Sequence, residues 1–209
     1  MSRASSLSTV ACHIAKLSPA TLCAPIRTLH PMNPTPSIRV EIKDGLAIAS
    51  LSQAERGNPV DGDFAREFKQ VFANLWDTAG LRAVLLRADG PNFSFGGDLK
   101  KLHPARANLA PLVREWTGDL HMGPQRASQL PVPVPVPMVV AVQGFAMGAG
   151  VALLAGCDVV IAAESARLGS AFAQLGFSCD SGSSVTLTAR IGPARARTLR
   201  AARRNAEEP

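Results

Sequence analysis

The chain has 209 residues, of which 46% are apolar and 18% charged, with a formal net charge of +6. That composition supplies the core of one domain and is too apolar for a disordered chain. The positive charge sits at the ends: residues 1–40 hold four basic groups and no acid, residues 190–209 hold six arginines against Glu207 and Glu208, and residues 41–189 hold 12 basic against 14 acidic groups. With 5% aromatics and no tyrosine, neither a charged nucleic-acid face nor a stacking platform for single strands is expected.

Residues 1–36 are rich in Ser, Thr, Ala and Pro and show no sustained period, so they read as a disordered extension. Two readings stand side by side. One is a stretch upstream of a true start at Met32, in a cytoplasmic, bacterial-type protein. The other is an organellar transit peptide, which would send the protein to the mitochondrial matrix.

Order is expected from residue 37. Ile38–Ile42 and Leu46–Leu51 alternate as strands around an Asp44-Gly45 hairpin turn. A helix of roughly 18 residues should start near Asp61–Asp63, both good caps, and end at Gly80. Its apolar stripe is Phe64, Phe68, Val71, Phe72, Leu75, Trp76 and Ala79. Ala83–Leu86 is a short strand. Ala88–Gly97 is a loop opening into a helix from Leu99. Residues 104–130 are weakly patterned and read as a mobile helical or loop segment. The run Pro131–Pro137 cannot donate to a ladder and is an extended lead-in to a buried strand, Met138–Val142. Gly144–Gly150 is a turn, Val151–Cys157 a buried helix and Val159–Ala162 a strand. Phe172–Gly176 is a short helical piece, and Ser183–Arg190 a helix that Gly192-Pro193 should end. Arg200–Pro209 has no stripe to pack and reads as a solvated tail. Strands and helices alternate, so the fold class is α/β.

The longest uncharged apolar stretch, Gly144–Cys157, is too short to span a bilayer and holds four glycines, so no membrane partner is expected. The cysteines at 12, 23, 157 and 179 form no C-x-x-C; 12 and 23 lie in the extension, and the other two read as free thiols of a reducing compartment, not as a disulfide. The histidines at 13, 30, 103 and 121 lack metal-ligand spacing, so no metal site is expected.

Two glycine-rich turns stand out: Phe93–Lys100 and Ala141–Val151. Each leads into a helix, where unpaired amides and the helix dipole favour negative charge. Together they could supply the two donors of an oxyanion hole. Rival motifs fail. Gly148-x-Gly150 is followed by Leu153 where a dinucleotide fingerprint needs Gly, and neither a Gly-Lys-Ser/Thr phosphate loop nor G-x-S-x-G is present.

From about Ile38 to about Arg197 the chain resembles the enoyl-CoA hydratase/isomerase (crotonase) superfamily. The resemblance rests on Arg82–Leu86, Phe93–Lys100, and Val142–Val151 ending in Gly156–Asp158, in the family's order and spacing. It implies a crotonase-like spiral of ββα units over residues 37–197, acting on an acyl-CoA thioester as substrate with no further cofactor. It puts the oxyanion amides at Gly97 and Ala149, and lays Gly97, Asp98, Leu99 and Lys100 along the CoA. It also implies a homotrimer or hexamer. The family's hydratases carry one Glu on the helix after the second turn and another later; here those positions are Ala152 and Phe172. Asp180 resembles the Asp of the isomerase branch, with Cys179 and Ser183 in place of the branch's Pro and Gly. The resemblance therefore implies an isomerase, shifting a double bond or rearranging a ring epoxide, with Asp180 as acid/base. Read without it, Asp180 is a solvated turn residue and Asp98 a helix cap. The family continues into further helices where residues 198–209 read as a truncated tail, so a CoA-binding-only or inactive fragment is the rival expectation.

Overall fold

A computed structural model of the chain describes residues 27–28, 35–128, 136–170 and 172–201. Strands β1 (Arg27–Thr28), β2 (Ile38–Lys43) and β3 (Leu46–Leu51) open it. β2 and β3 form the expected hairpin, in register from Ile38↔Leu51 to Lys43↔Leu46. Both turn residues take positive φ, 50° at Asp44 and 77° at Gly45, as hairpin twist demands. The stretch read as disordered contributes β1, antiparallel to the free edge of β2; an unpaired edge offers that ladder to any nearby extended chain.

β5 (Ala83–Ala88), β7 (Met138–Val142) and β9 (Val159–Ala162) then add in parallel to β3. The main sheet has the order β1-β2-β3-β5-β7-β9. Each parallel strand is followed by a short one and then a helix: β4 (Pro59–Val60) and α1 (Gly62–Trp76); β6 (Gly96–Gly97), α2 (Leu99–Leu102) and α3 (Leu109–Ser128); β8 (Phe145–Met147) and α4 (Ala149–Gly156); β10 (Arg167–Gly169) and α5 (Ser183–Ala201). The short strands make a second layer, β4 parallel to β6 and β8 parallel to β10. An isolated Ser94↔Ala146 bridge ties the two pairs together. The chain is thus a spiral of ββα units, as its motifs implied.

α1 buries the stripe Phe64, Phe68, Val71, Phe72 and Leu75. It is capped by Asp61, which accepts the Phe64 N–H at 2.9 Å. It ends at Trp76, ahead of the expected Gly80, where the Asp77 N–H donates to the Ala73 carbonyl and the Thr78 hydroxyl to the Asn74 carbonyl.

Of the two readings of residues 104–130, the helical one holds over the described part, 104–128. A 3₁₀ turn over Arg106–Asn108 leads into α3, which lies along α1 and buries Trp116 and Leu120. Over residues 109–120 the line of half-buried Leu112 and buried Trp116 and Leu120 has i, i+4 spacing but is one residue wide, and Pro111 and Gly118 obscure it. Pro111 sits in the first turn, where its missing N–H costs no hydrogen bond. Gly62 makes room for this contact: a Cβ there would lie 2.5 Å from Trp116 Nε1.

α4 is buried all round from Ala149 to Ala155 and starts two residues before the expected helix. Phe172–Gly176 holds only a 3₁₀ turn, Ala173–Leu175. α5 kinks at Gly192 (φ 78°) instead of ending there. Pro193 restarts the helix as its first residue, Ala196 is fully buried and Leu199 packs on the core. The helix therefore runs across the 197/198 boundary to Ala201. The Pro131–Pro135 part of the lead-in lies outside the described residues. Cys157 and Cys179 are both free thiols.

Candidate active site

The two glycine-rich turns are held against one another by a buried scaffold. Asn58, 2% exposed and at φ 49°, turns its side-chain amide into the loop before β6. Nδ2 donates towards the carbonyls of Asp89 (3.1 Å), Asn92 (3.2 Å) and Phe93 (3.1 Å), and Oδ1 accepts the Gln53 N–H at 2.9 Å. Asn tolerates the left-handed backbone and satisfies main-chain groups from one side chain. Ser94, fully buried, donates its hydroxyl to the Asn58 carbonyl at 2.7 Å and accepts the Gly96 N–H at 3.0 Å.

The same loop is zipped onto β8. Ser94 N–H donates to the Phe145 carbonyl at 3.0 Å, Met147 N–H to the Ser94 carbonyl at 2.9 Å, and Phe145 N–H to Asn92 Oδ1 at 3.0 Å. Gly144 and Gly150 allow the approach: Cβ atoms there would lie 2.1 Å from the Pro91 carbonyl oxygen and 3.0 Å from Ser94 Cβ. Gly148, at φ 51°, then turns the chain into α4.

This brings β6, Gly96–Gly97, against the start of α4. A Cβ on Gly96 would be only 3.3 Å from the Ala149 nitrogen. Ala149 is the first residue of α4, so its N–H has no carbonyl to meet within the helix. Gly97 pairs with Val60 in a parallel ladder whose bond comes from Asp98 N–H to the Val60 carbonyl, 3.2 Å; the Gly97 N–H therefore points away from β4. Two adjacent amides at a helix start can hold an oxygen that gains negative charge.

Asp98 is a cap. Its Oδ1 accepts from Lys100 N–H (3.0 Å) and Lys101 N–H (3.4 Å), and its Oδ2 pairs with Arg56 at 2.7 Å. Leu99 and Lys100 are exposed on α2. Behind them Lys101 bridges buried Asp61 (2.7 Å) and exposed Asp63 (2.8 Å). Burial draws the Lys101 pKa down, but its hydrogen bonds to the two aspartates outweigh that and leave it raised. The Lys101 hydrogen bond leads in holding Asp63 below its ordinary value, against the opposing effect of burial.

Ala152 is buried inside α4, and Phe172 precedes the 3₁₀ turn; neither has a titratable group. From α4 to the end of α5 the carboxylates are Asp158, Glu164 and Asp180. Asp158 lies past the far end of α4 and accepts the Met138 N–H at 2.7 Å. Glu164 stands on the exposed turn at the Gly144 end of β8. Asp180, half-buried, sits on the 177–182 loop before α5, where its carbonyl accepts from Ser183 N–H (3.0 Å) and Ser183 Oγ (2.7 Å) and its Oδ1 from Ser181 Oγ (3.0 Å). Among the described residues no three His, Cys, Asp or Glu side chains gather as a metal site, and no helix is long and apolar enough to cross a membrane.

Asn58 and Ser94 went unnoticed in the sequence as organisers of this site. The one signal was Asn after Gly57 and before Pro59, a turn in which Asn can adopt positive φ.

The Enoyl-CoA hydratase/isomerase family model matches residues 41–208. The chain is 34% identical over 160 residues to a Rhodobacter capsulatus protein named "Probable enoyl-CoA hydratase", covering 77% of this chain and 59% of that protein. It is 31% identical over 166 residues to the 1,2-epoxyphenylacetyl-CoA isomerase of Escherichia coli, covering 76% and 59%. The crystal structure of an enoyl-CoA hydratase/isomerase homologue from Mycobacterium abscessus superposes with a TM-score of 0.66 at 29% identity, over 78% of this chain and 62% of that one. Enoyl-CoA hydratase from Bacillus halodurans shares the fold, with a TM-score of 0.70 at 22% identity over 78% and 64%. The chain thus spans about 60% of the length of these relatives.

Proposed function

The chain belongs to the enoyl-CoA hydratase/isomerase family, and on that premise we propose that it isomerises an acyl-CoA thioester. The observation that carries the reading is the packing of β6, which holds Gly97, against the start of α4, where Gly96 meets the Ala149 nitrogen. Their N–H groups would donate to the thioester carbonyl oxygen, with Gly97–Lys100 running along the CoA. The Asp180 carboxylate would take a proton from a carbon of the acyl chain, leaving the electron pair delocalised as an enolate on that oxygen. The resulting carboxylic acid would return the proton to a different carbon, so the double bond moves and Asp180 is regenerated. Opening of a ring epoxide on the same acyl group is the variant reaction. No cofactor enters this scheme.

Isomerisation is favoured over hydration because Ala152 and Phe172 stand where the family's hydratases carry glutamates, and water addition by two carboxylates needs both. The names of the relatives do not favour isomerisation: most are called hydratases, beside the 1,2-epoxyphenylacetyl-CoA isomerase. A spectroscopic screen of the purified protein against 3-enoyl-, dienoyl- and 2-enoyl-CoA thioesters decides. Double-bond migration without hydration is the expected result. Rapid hydration of crotonyl-CoA overturns the isomerase reading, and binding without turnover favours a CoA-binding role. The family assembles as trimers and pairs of trimers, whereas this chain is proposed to assemble poorly; a clean, stable trimer in light scattering would overturn that.

A further inference from the structure

The 3₁₀ turn Arg106–Asn108 and the first half of α3 face Phe177 across an open groove of about 520 Å³. Its walls mix apolar groups, Leu109, Val113 and Phe177, with Thr117 and two guanidinium side chains, Arg106 and Arg114. Both arginines are exposed, and neither has an ion-pair partner among the described residues. The acids of α3 in this stretch are engaged elsewhere: Glu115 pairs with Arg66 of α1 at 3.7 Å and Asp119 with Lys69 at 2.8 Å. Among the described residues no carboxylate lines the groove.

We propose that this groove receives the far end of the acyl group and selects chains that terminate in a carboxylate. The inference rests on the acyl-CoA reading above. One wall follows directly from the Gly97 loop through α2, and Phe177 lies on the same loop as Asp180. On the proposed reading, an acyl chain whose thioester sits at Gly97 and Ala149 and whose reacting carbons meet Asp180 would continue between those walls. Leu109, Val113 and Phe177 suit methylene groups. Arg106 and Arg114 suit an anion, since the planar fork of guanidinium matches a carboxylate in two hydrogen bonds. A plain fatty chain would leave two charges facing an apolar tail. The volume is in the range of small-molecule sites.

The experiment measures binding by calorimetry, and turnover, for two five-carbon unsaturated CoA thioesters, one ending in carboxylate and one in methyl, with free CoA as a third ligand. The full chain is compared with the double variant Arg106→Gln, Arg114→Gln, whose exposed positions leave the core untouched. The carboxylate-ended thioester should bind about tenfold or more tightly than its methyl counterpart at low salt. The double variant should lose that preference while keeping its affinity for the methyl-ended thioester and for CoA. Raising the ionic strength should narrow the preference, because the groove is open. Equal affinity of the wild-type chain for both thioesters overturns the proposal and leaves the acyl-CoA reading standing. A variant weakened equally towards both thioesters and free CoA also overturns it, and assigns the guanidinium groups to CoA phosphates. Failure of every CoA compound to bind overturns the acyl-CoA reading as well.

Discussion

Gly96 lies so close to Met147 that a Cβ on it would stand 2.5 Å from the Met147 carbonyl oxygen. The obstacle is backbone, so nothing flexible can yield. Gly96 also holds φ at 84°, which costs other residues about 1–2 kcal/mol before any clash. Gly96→Ala should therefore push the β6 loop away from α4 and separate the Gly97 and Ala149 amides. Expected outcomes are a stability loss above about 2 kcal/mol in denaturant titration and weaker thioester binding. An unchanged midpoint and affinity would show that the loop relaxes without effect.

Asn58 serves the same junction from below. Its side chain meets three carbonyls and one N–H in a place almost closed to water. Asn58→Ala strands them, and each unsatisfied buried group costs about 1–3 kcal/mol. The expected loss is about 3 kcal/mol or more by urea unfolding. Asn58→Asp should be no milder, because it turns a carboxylate oxygen towards three carbonyls.

Cys157 gives the fold an alkaline limit. Burial pushes its thiol from 9.0 up to about 12, with Arg190 opposing and Asp158 adding to the rise. The folded-state pKa is the higher one, so the contribution is intact below pH 9.0. It falls away between 9.0 and about 12, as the unfolded chain ionises first. The full drop is on the order of 4 kcal/mol. Stability measured against pH should descend over that window in the wild type and less steeply in Cys157→Ala. Peptide mapping after iodoacetamide should find Cys157 unlabelled until the protein is denatured.

Among the described residues the β9 edge is unpaired, and it is apolar, with Val159 at 48% and Ile161 at 59% exposure. Unpaired edges with exposed β-branched residues draw other chains. Light scattering should show concentration-dependent association, and Ile161→Lys should reduce it. Unaltered behaviour of that variant would move the contact to another surface.

Legibility in the sequence followed the width of each pattern. α1 was readable because its buried stripe is wide and its Asp61 cap sits beside it. α3 was not, since its stripe is a single line of Leu112, Trp116 and Leu120. The β4, β6, β8 and β10 strands are two or three residues long and pair only in the second layer, so no local period exists for them to show. At the site, the glycines of the two turns announced close approach, and Gly96, Gly144 and Gly150 all meet backbone or buried neighbours. What brings the turns together is long-range: Asn58 reaches Phe93, and Ser94 reaches Phe145 and Met147. Contacts between residues so far apart in sequence leave no mark on their neighbours. Gly192-Pro193 was legible as a break, but a restart requires the core that receives Ala196.

Asp180→Asn tests the proposed proton shuttle. The amide is close to isosteric, so the turn held by Ser183 onto the Asp180 carbonyl should survive. Its Oδ1 can still accept the Ser181 hydroxyl, which now bonds the carboxylate at 3.0 Å. What the amide cannot do is take a proton from carbon at working pH. General acid–base groups contribute about 10²–10⁴-fold, and here one group would serve both transfers. Turnover should fall by at least about 100-fold, while thioester binding, which rests on Gly97–Lys100 and the two amides, stays within about threefold. Retention of most of the rate would return Asp180 to an ordinary turn residue. A parallel loss of binding and melting temperature would make it structural, since the Ser183 contacts precede the whole of α5.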